Sequence, residues 1–152
     1  MFLRKSRMNF NRPNWEDYFL ELAELISKRS PDSQTRCGCV LVDSKNRVLG
    51  HGYNGFPRGL KDDELPNTRP DKYPWMIHAE VNAILNSNGT IEGAAAYITT
   101  VPCFNCLILL WQAGVGSVVY STKGEKPKMV DESHAELTKR FIDMSGMKLR
   151  SV

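Results

Sequence analysis

The sequence predicts a layered α/β sandwich with partly parallel strands, and three observations support this fold class. The chain has 152 residues, 41% hydrophobic and 24% charged, which is ordinary composition for one globular domain. Short β-branched runs alternate with segments of helical periodicity in the order αββαβαβαβ. No apolar run approaches the about 20 residues of a membrane span. We therefore expect a single domain over residues 1–152, of which 1–12 form a basic tail.

The first element is predicted to be a helix that begins after Asn14. Apolar side chains from Trp15 onward recur at helical spacing, and Asn14 is a favourable N-cap. The helix is expected to run to about Arg29, because Pro31 disfavours its continuation. The elements that follow are predicted strands at 37–43 and 48–53, a helix from 78 to about 86, a strand at 95–100, a helix from 102 to 113, a strand at 117–120, a helix around 135–142 and a strand at 147–150.

A long irregular loop, residues 54–77, is predicted to separate the hairpin from the second helix. It contains four prolines, and loops of this length in compact domains are usually functional or mobile. Pro102 is expected in the first turn of the third helix, and Gly114 and Gly146 are expected to end the third and fourth helices.

The charge of the chain is concentrated at its N-terminus. The formal net charge is +3, but the first twelve residues carry four basic residues and no acid, so the rest of the chain carries −1. Two interpretations of this basic tail stay open, a solvated end and a phosphate contact. The residues after Met1 lack the apolar stretch of a secretory signal, so we expect a cytoplasmic location and no membrane partner.

Two short motifs carry the chemistry. His78-Ala79-Glu80 opens the second helix, while Cys103 and Cys106 lie three residues apart on one face of the third. A histidine and two cysteines suit Zn²⁺ and leave its fourth tetrahedral position to water, the arrangement of catalytic zinc sites. The pattern matches the zinc-deaminase signature H-x-E…P-C-x-x-C.

In that chemistry Glu80 moves protons. Zn²⁺ lowers the pKa of its water to about 7, and Glu80 takes the water proton, passes it to a ring nitrogen and later protonates the leaving ammonia. A rival interpretation is a structural site of four cysteines that includes Cys37 and Cys39. These two are spaced to share one face of a strand, and their alternative role is as small core thiols.

These motifs, with two further stretches, resemble the deoxycytidylate (dCMP) deaminase family of the zinc-dependent cytidine-deaminase superfamily. The stretches are GYNGFPRG at 52–59, HAEVNAI at 78–84, PCFNC at 102–106 and QAGV at 112–115. The resemblance implies a three-layer α/β/α cytidine-deaminase-like fold with a five-stranded mixed sheet. It also implies hydrolysis of dCMP to dUMP and ammonia, activation by dCTP and inhibition by dTTP, each with Mg²⁺, and a homo-oligomer such as a hexamer.

The resemblance assigns roles to individual residues. His78, Cys103 and Cys106 match the zinc ligands, and Glu80 matches the proton shuttle. The residues that it implies for substrate binding are Asn54, Arg36, Ser33, Thr35, Ala79 and Pro102. The residues that it implies for the effector nucleotide are Gly52, Tyr53, Gly55 and Phe56, with Arg4 and Lys5 of the basic tail as a hypothesis. Arg36 is the favoured phosphate ligand, because a guanidinium binds phosphate in a bidentate manner. Asn54-Gly55 is also an ordinary turn sequence.

Two other functions stay open at this point. They are a deaminase of dCTP or of a base in nucleic acid, and a non-catalytic binding module stabilised by zinc. A nucleic-acid groove would be basic and lined with aromatic side chains. The net charge of −1 outside the tail argues against such a groove.

Overall fold

Five strands form one mixed sheet in the computed structural model, which describes residues 11–123 and 132–152. The strands are β1 (Gly38–Val42), β2 (Val48–Tyr53), β3 (Ala95–Ile98), β4 (Ser117–Tyr120) and β5 (Lys148–Ser151). Their order across the sheet is β2-β1-β3-β4-β5. β1 pairs antiparallel with β2 and β3, whereas β3, β4 and β5 run parallel. The predicted five-stranded mixed sheet is confirmed.

Helices cover both faces of this sheet. They are α1 (Trp15–Ser27), α2 (Ala79–Leu85), α3 (Phe104–Gln112) and α4 (Glu132–Ser145), with one 3₁₀ turn at Asp62–Glu64 in the long loop. α1 packs on one face, and α2 and α3 pack on the other, where α4 contacts α3. The predicted α/β/α layers are therefore present. None of the described helices is both long and apolar enough to cross a membrane.

Strand β1 lies at the centre of the core, because every one of its residues is buried. Val40 and Val42 face α1 and join Phe19 in one apolar cluster, while Cys39 and Leu41 join the cluster beneath α2 and α3. The alternation of side chains along a strand allows β1 to supply both layers at once.

The helix ends agree with their predicted caps, with two small corrections. Asn14 Oδ1 accepts a hydrogen bond from the Asp17 backbone N–H at 2.8 Å, as an N-cap does. α1 ends at Ser27 rather than near Arg29. Pro102 lies outside α3 rather than in its first turn, because Cys103 takes the N-cap position. Gly114 and Gly146 adopt positive φ angles just beyond α3 and α4, as expected for helix stops.

Helix α2 approaches strand β2 so closely that only glycine fits between them. A Cβ atom at Gly52 would lie 2.4 Å from the backbone nitrogen of Ala83 and 2.6 Å from the carbonyl oxygen of Ala79. Gly50 faces the same helix, with the Ala83 carbonyl oxygen 2.8 Å from its Cβ position. These two glycines and the small side chains of Ala79 and Ala83 therefore set the distance between α2 and the sheet.

Replacing Gly52 by alanine should lower the free energy of unfolding by about 1–3 kcal/mol, because the added methyl group meets helix backbone and not a movable side chain. Gly116→Ala is the matched control, since nothing lies within 4 Å of its Cβ position and its φ is not in the left-handed region. Urea denaturation of the two variants measures the difference. Equal stability of both variants would contradict the packing constraint.

Candidate metal centre and nucleotide site

Three side chains converge at the start of α2 and α3. His78 Nδ1 lies 3.3 Å from Cys106 Sγ and 3.6 Å from Cys103 Sγ. The three donor atoms lie within 4.8 Å of one another, and among the described residues no other group of three or more His, Cys, Asp or Glu side chains does so. The structure thus brings together the three residues that the sequence indicates as metal ligands.

The local fold presents these ligands from two helix starts. His78 is the N-cap residue of α2 and Cys103 is the N-cap residue of α3, both with extended backbone. The Cys103 sulfur accepts a hydrogen bond from the Cys106 backbone N–H at 3.4 Å. A helix start favours a negative charge, so α3 stabilises the thiolate of its own cap.

Hydrogen bonding within the cluster shifts the pKa values of the two thiols in opposite directions. The hydrogen bond from Cys106 lowers the pKa of Cys103 to about 4, and the same hydrogen bond raises the pKa of Cys106. The hydrogen bond with Cys103 raises the pKa of His78. The cluster therefore favours the thiolate form of Cys103, the form in which cysteine binds metals.

A nitrogen and two sulfur donors in this arrangement fit Zn²⁺. Three protein ligands are the set that catalytic zinc sites use, and a structural site would need a fourth. Among the described residues, Cys37 and Cys39 do not join the group. Burial raises the pKa of Cys37 to about 12 and also raises that of Cys39 well above its ordinary value, as expected for core thiols.

Glu80 lies beside the cluster in the first turn of α2. It is 5% exposed, and burial raises the pKa of its carboxyl. Its carboxyl also lies close enough to the Cys106 thiol for each group to affect the pKa of the other. A buried carboxyl with a raised pKa holds a proton more readily than an exposed one, which suits a group that takes up protons and passes them on.

The loop that precedes β1 carries the predicted phosphate residues. Ser33 bonds to Asn67 through both its backbone N–H and its hydroxyl, at 3.0 and 2.9 Å. The Thr35 hydroxyl accepts a hydrogen bond from Arg69. Arg36 is exposed, and its Nε donates to the Asp32 carbonyl oxygen at 3.4 Å. All three predicted residues therefore lie on one short segment that the long loop holds in place.

Asn54 ties this segment to the end of β2. Its Oδ1 accepts from the Cys37 backbone N–H at 2.8 Å, and its Nδ2 donates to the Thr35 carbonyl oxygen at 2.9 Å and to Asp32 Oδ2 at 3.3 Å. The side chain is buried, with 6% exposed. Its role in this network is to orient the segment; a contact with the substrate sugar stays a prediction.

A buried ion pair beneath the segment was not visible in the sequence. Lys72 Nζ lies 2.8 and 2.7 Å from the two carboxylate oxygens of Asp32, and both side chains are 3% exposed. Burial would raise the pKa of Asp32, but hydrogen bonds from Lys72 and from the backbone N–H groups of Thr35 and Gln34 outweigh it, so the pKa is lowered. No local pattern links two residues that are forty positions apart.

The remaining predicted residues divide into two groups. Ala79 and Pro102 are buried next to the metal ligands. Gly52 and Tyr53 end β2, Gly55 pairs with Ile77 across the long loop, and Phe56 is half-buried. Packing explains Gly52 without a ligand, so its effector role stays a prediction. Arg4 and Lys5 lie outside the described residues.

Comparison with known proteins agrees with this geometry. Residues 13–122 match the family model of the cytidine and deoxycytidylate deaminase zinc-binding region. The deoxycytidylate deaminase of Homo sapiens is 36% identical over 143 residues, covering 90% of this chain and 78% of that protein. The probable deoxycytidylate deaminase of Drosophila melanogaster is 38% identical over 149 residues, covering 90% and 71%.

Among solved structures, the chain is similar to dCMP deaminase from the cyanophage S-TIM5 in complex with dCMP and dUMP. The TM-score is 0.73 at 25% sequence identity, and the match covers 93% of this chain and 98% of the phage chain. The likeness therefore extends over the whole sandwich.

Replacing Cys106 by serine should reduce the bound zinc from about one ion per chain to almost none, because a hydroxyl is a poor substitute for a thiolate ligand. Cys39→Ala should keep its zinc, since Cys39 lies outside the cluster. Metal analysis of the two purified variants, with a zinc-edge absorption spectrum of the unmodified protein, tests both statements. A spectrum with three or four sulfur ligands, or zinc loss in Cys39→Ala, would favour the rival cysteine site.

Proposed function

Since the chain belongs to the family of cytidine and deoxycytidylate deaminases, we propose that it hydrolyses dCMP to dUMP and ammonia with a catalytic zinc ion. The single observation that carries the proposal is the buried carboxyl of Glu80 beside His78, Cys103 and Cys106. A binding module stabilised by zinc has no use for a buried acid at this position. The relatives' names and the phage complex support dCMP as the substrate.

The reaction replaces the amine of the cytosine ring by oxygen. The C4–N bond breaks and a C4–O bond forms, with water as the second reactant. A zinc ion held by His78, Cys103 and Cys106 would supply a polarised water as the nucleophile at neutral pH.

Glu80 performs the proton transfers in this proposal. Its carboxylate takes the proton of the attacking water and gives it to the ring nitrogen next to C4, which prepares the carbon for attack. The second water proton then passes through the same carboxyl to the departing amine, so that ammonia leaves neutral. Burial raises the pKa of Glu80, which favours the return of the proton after each transfer.

The segment before β1 suits the other end of the nucleotide. The Asn54 amide donates to the Thr35 carbonyl oxygen, and the adjacent Gly55 pairs with Ile77 next to His78, so the segment is joined to the catalytic centre. Thr35 and Arg36 offer a hydroxyl and a guanidinium there, and we assign them to the phosphate. The Ser33 hydroxyl donates its one hydrogen to the Asn67 carbonyl oxygen, so we assign Ser33 to the same site as the residue that positions the segment. Asn54 is assigned to the sugar, with Ala79 and Pro102 beside the ring.

The proposal includes regulation and assembly. We infer that dCTP activates and dTTP inhibits the enzyme, each with Mg²⁺, at the turn formed by Gly52, Tyr53, Gly55 and Phe56. The basic residues Arg4 and Lys5 are assigned to the effector phosphates. A cytoplasmic homo-oligomer, such as a hexamer, accompanies this regulation. The resemblance of the GYNGFPRG stretch to the dCMP deaminase family supports it.

Ammonia release from dCMP, dCTP, deoxycytidine and cytosine at equal concentration tests the substrate, and dCMP should react fastest. Glu80→Gln should lower kcat for dCMP by at least about 10²–10⁴-fold, the usual contribution of a general acid–base group. It should keep its zinc, because Glu80 is not a ligand. Glu24→Gln, an exposed glutamate on α1, is the matched control with unchanged turnover.

Two results would overturn the proposal. Faster release from dCTP or from the unphosphorylated substrates would reject the monophosphate as substrate. Full activity in zinc-loaded Glu80→Gln would reject the assigned proton shuttle.

The regulatory part has its own measurement. Saturation curves for dCMP should shift to lower concentration with dCTP and Mg²⁺, and to higher concentration with dTTP and Mg²⁺, because each effector stabilises a state with a different affinity for substrate. Curves that superimpose with and without both effectors would remove the regulatory claim and leave the catalytic one intact.

A further inference from the structure

The long loop holds the segment 32–36 with three separate side chains. Asn67 bonds to Ser33 and, through its Nδ2, to the Pro31 carbonyl oxygen at 2.8 Å. Arg69 and Lys72 make the other two attachments. Residues 67–72 therefore form a clamp over this segment, which sequence reasoning did not connect with the site.

The inner side of the clamp is the ion pair of Asp32 and Lys72. The same carboxylate accepts from the backbone N–H groups of Gln34 and Thr35 at 2.8 and 3.0 Å. The ammonium of Lys72 is thus committed to a buried partner, and withdrawing it would leave a buried carboxylate without its counter-charge. Lys72 fixes the position of the clamp, and its charge, which is paired with Asp32, is not available to a ligand.

The outer side of the clamp carries a charge that is available. Arg69 is exposed; its backbone N–H donates to Gln34 Oε1 at 2.9 Å, and its guanidinium donates to the Thr35 hydroxyl. Within residues 11–123 and 132–152, no carboxylate forms an ion pair with this guanidinium. A guanidinium that uses one donor on Thr35 retains others for an anion.

This cation is anchored on a segment that is joined to the metal centre. The Asn54 amide donates to the Thr35 carbonyl oxygen at 2.9 Å, and the next residue, Gly55, pairs with Ile77, the neighbour of His78. A substrate with its ring at Glu80 would therefore extend its phosphate towards Thr35. Arg36, which belongs to the segment itself, is a second exposed guanidinium there.

We propose that Arg69, anchored on Thr35 and Gln34 by the clamp, binds the phosphate monoester of the substrate and so selects the monophosphate over the nucleoside. This inference rests on the proposed deamination of dCMP and adds a specificity residue to it. The guanidinium contacts a dianion, for which charge-assisted hydrogen bonds are the strongest available. Arg69 is a binding residue and takes no part in proton transfer.

The test compares dCMP with deoxycytidine in Arg69→Gln. The KM for dCMP should rise at least about tenfold, whereas kcat/KM for deoxycytidine should stay within about twofold. Inhibition by dUMP should weaken in parallel with the KM for dCMP, and inhibition by deoxyuridine should not change. Arg69→Lys keeps the charge but loses the fork, so it should fall between the two.

Arg47→Gln is the matched control. Arg47 is an exposed arginine at the opposite end of the β1–β2 hairpin, where it pairs with Asp43, so its loss should leave both substrates unaffected. Circular dichroism and zinc content establish that each variant is folded. If Arg69→Gln does not fold, Arg69→Lys decides on the same ratio.

The outcomes separate the inference from the function on which it rests. A wild-type protein that does not release ammonia from dCMP would reject the function. A wild-type protein active on dCMP, with an unchanged KM in Arg69→Gln, would reject Arg69 as the phosphate ligand alone. Equal losses on dCMP and deoxycytidine would show a merely structural role and would also overturn the inference.

Discussion

The close packing of α2 on the hairpin is the constraint on which the site depends. α2 carries His78 at its N-cap and Glu80 in its first turn. The distance between this short helix and the sheet therefore sets the positions of the imidazole and of the carboxyl. Gly50 and Gly52 remove the side chains that would hold it away from β2. Asn82 helps to orient α2 on β2, because its amide donates to the Tyr53 carbonyl oxygen at 2.8 Å. The close approach of the α2 and β2 backbones leaves little freedom for His78 and Glu80, and accurate placement of such groups is a condition for catalysis.

A second constraint acts on the segment before β1 and has a different physical origin. Asp32 and Lys72 are buried as an ion pair, an arrangement that costs desolvation and is often no more stable than an apolar pair. Here the carboxylate also satisfies two backbone N–H groups and the amide of Asn54, so every oxygen has partners. Such a network specifies one loop conformation where apolar contacts would permit several. The network therefore contributes a defined conformation to a segment that has no regular secondary structure of its own.

The difference between these constraints explains what the sequence could predict. The metal ligands sit at helix starts with short spacings, so His78, Cys103 and Cys106 are visible as motifs, and the β-branched run at Val40 predicts its strand. Residue spacing carries no information about contacts across loops. Lys72 looks like a surface lysine among prolines, and Asp32 looks like a turn residue; their pairing emerges only when the folded chain brings 32 and 72 together.

The two constraints also correspond to two proposed tasks within the site, the deamination itself and the choice of nucleotide. In the proposed function, the metal ligands and Glu80 act on the amine-bearing carbon of the ring, and α2, α3 and the glycines beneath α2 set their arrangement. Thr35 and Arg69 are proposed to hold the phosphate, and neither belongs to the metal cluster. Changes in the clamp can therefore alter which nucleotide is accepted while the deaminating centre is left unchanged.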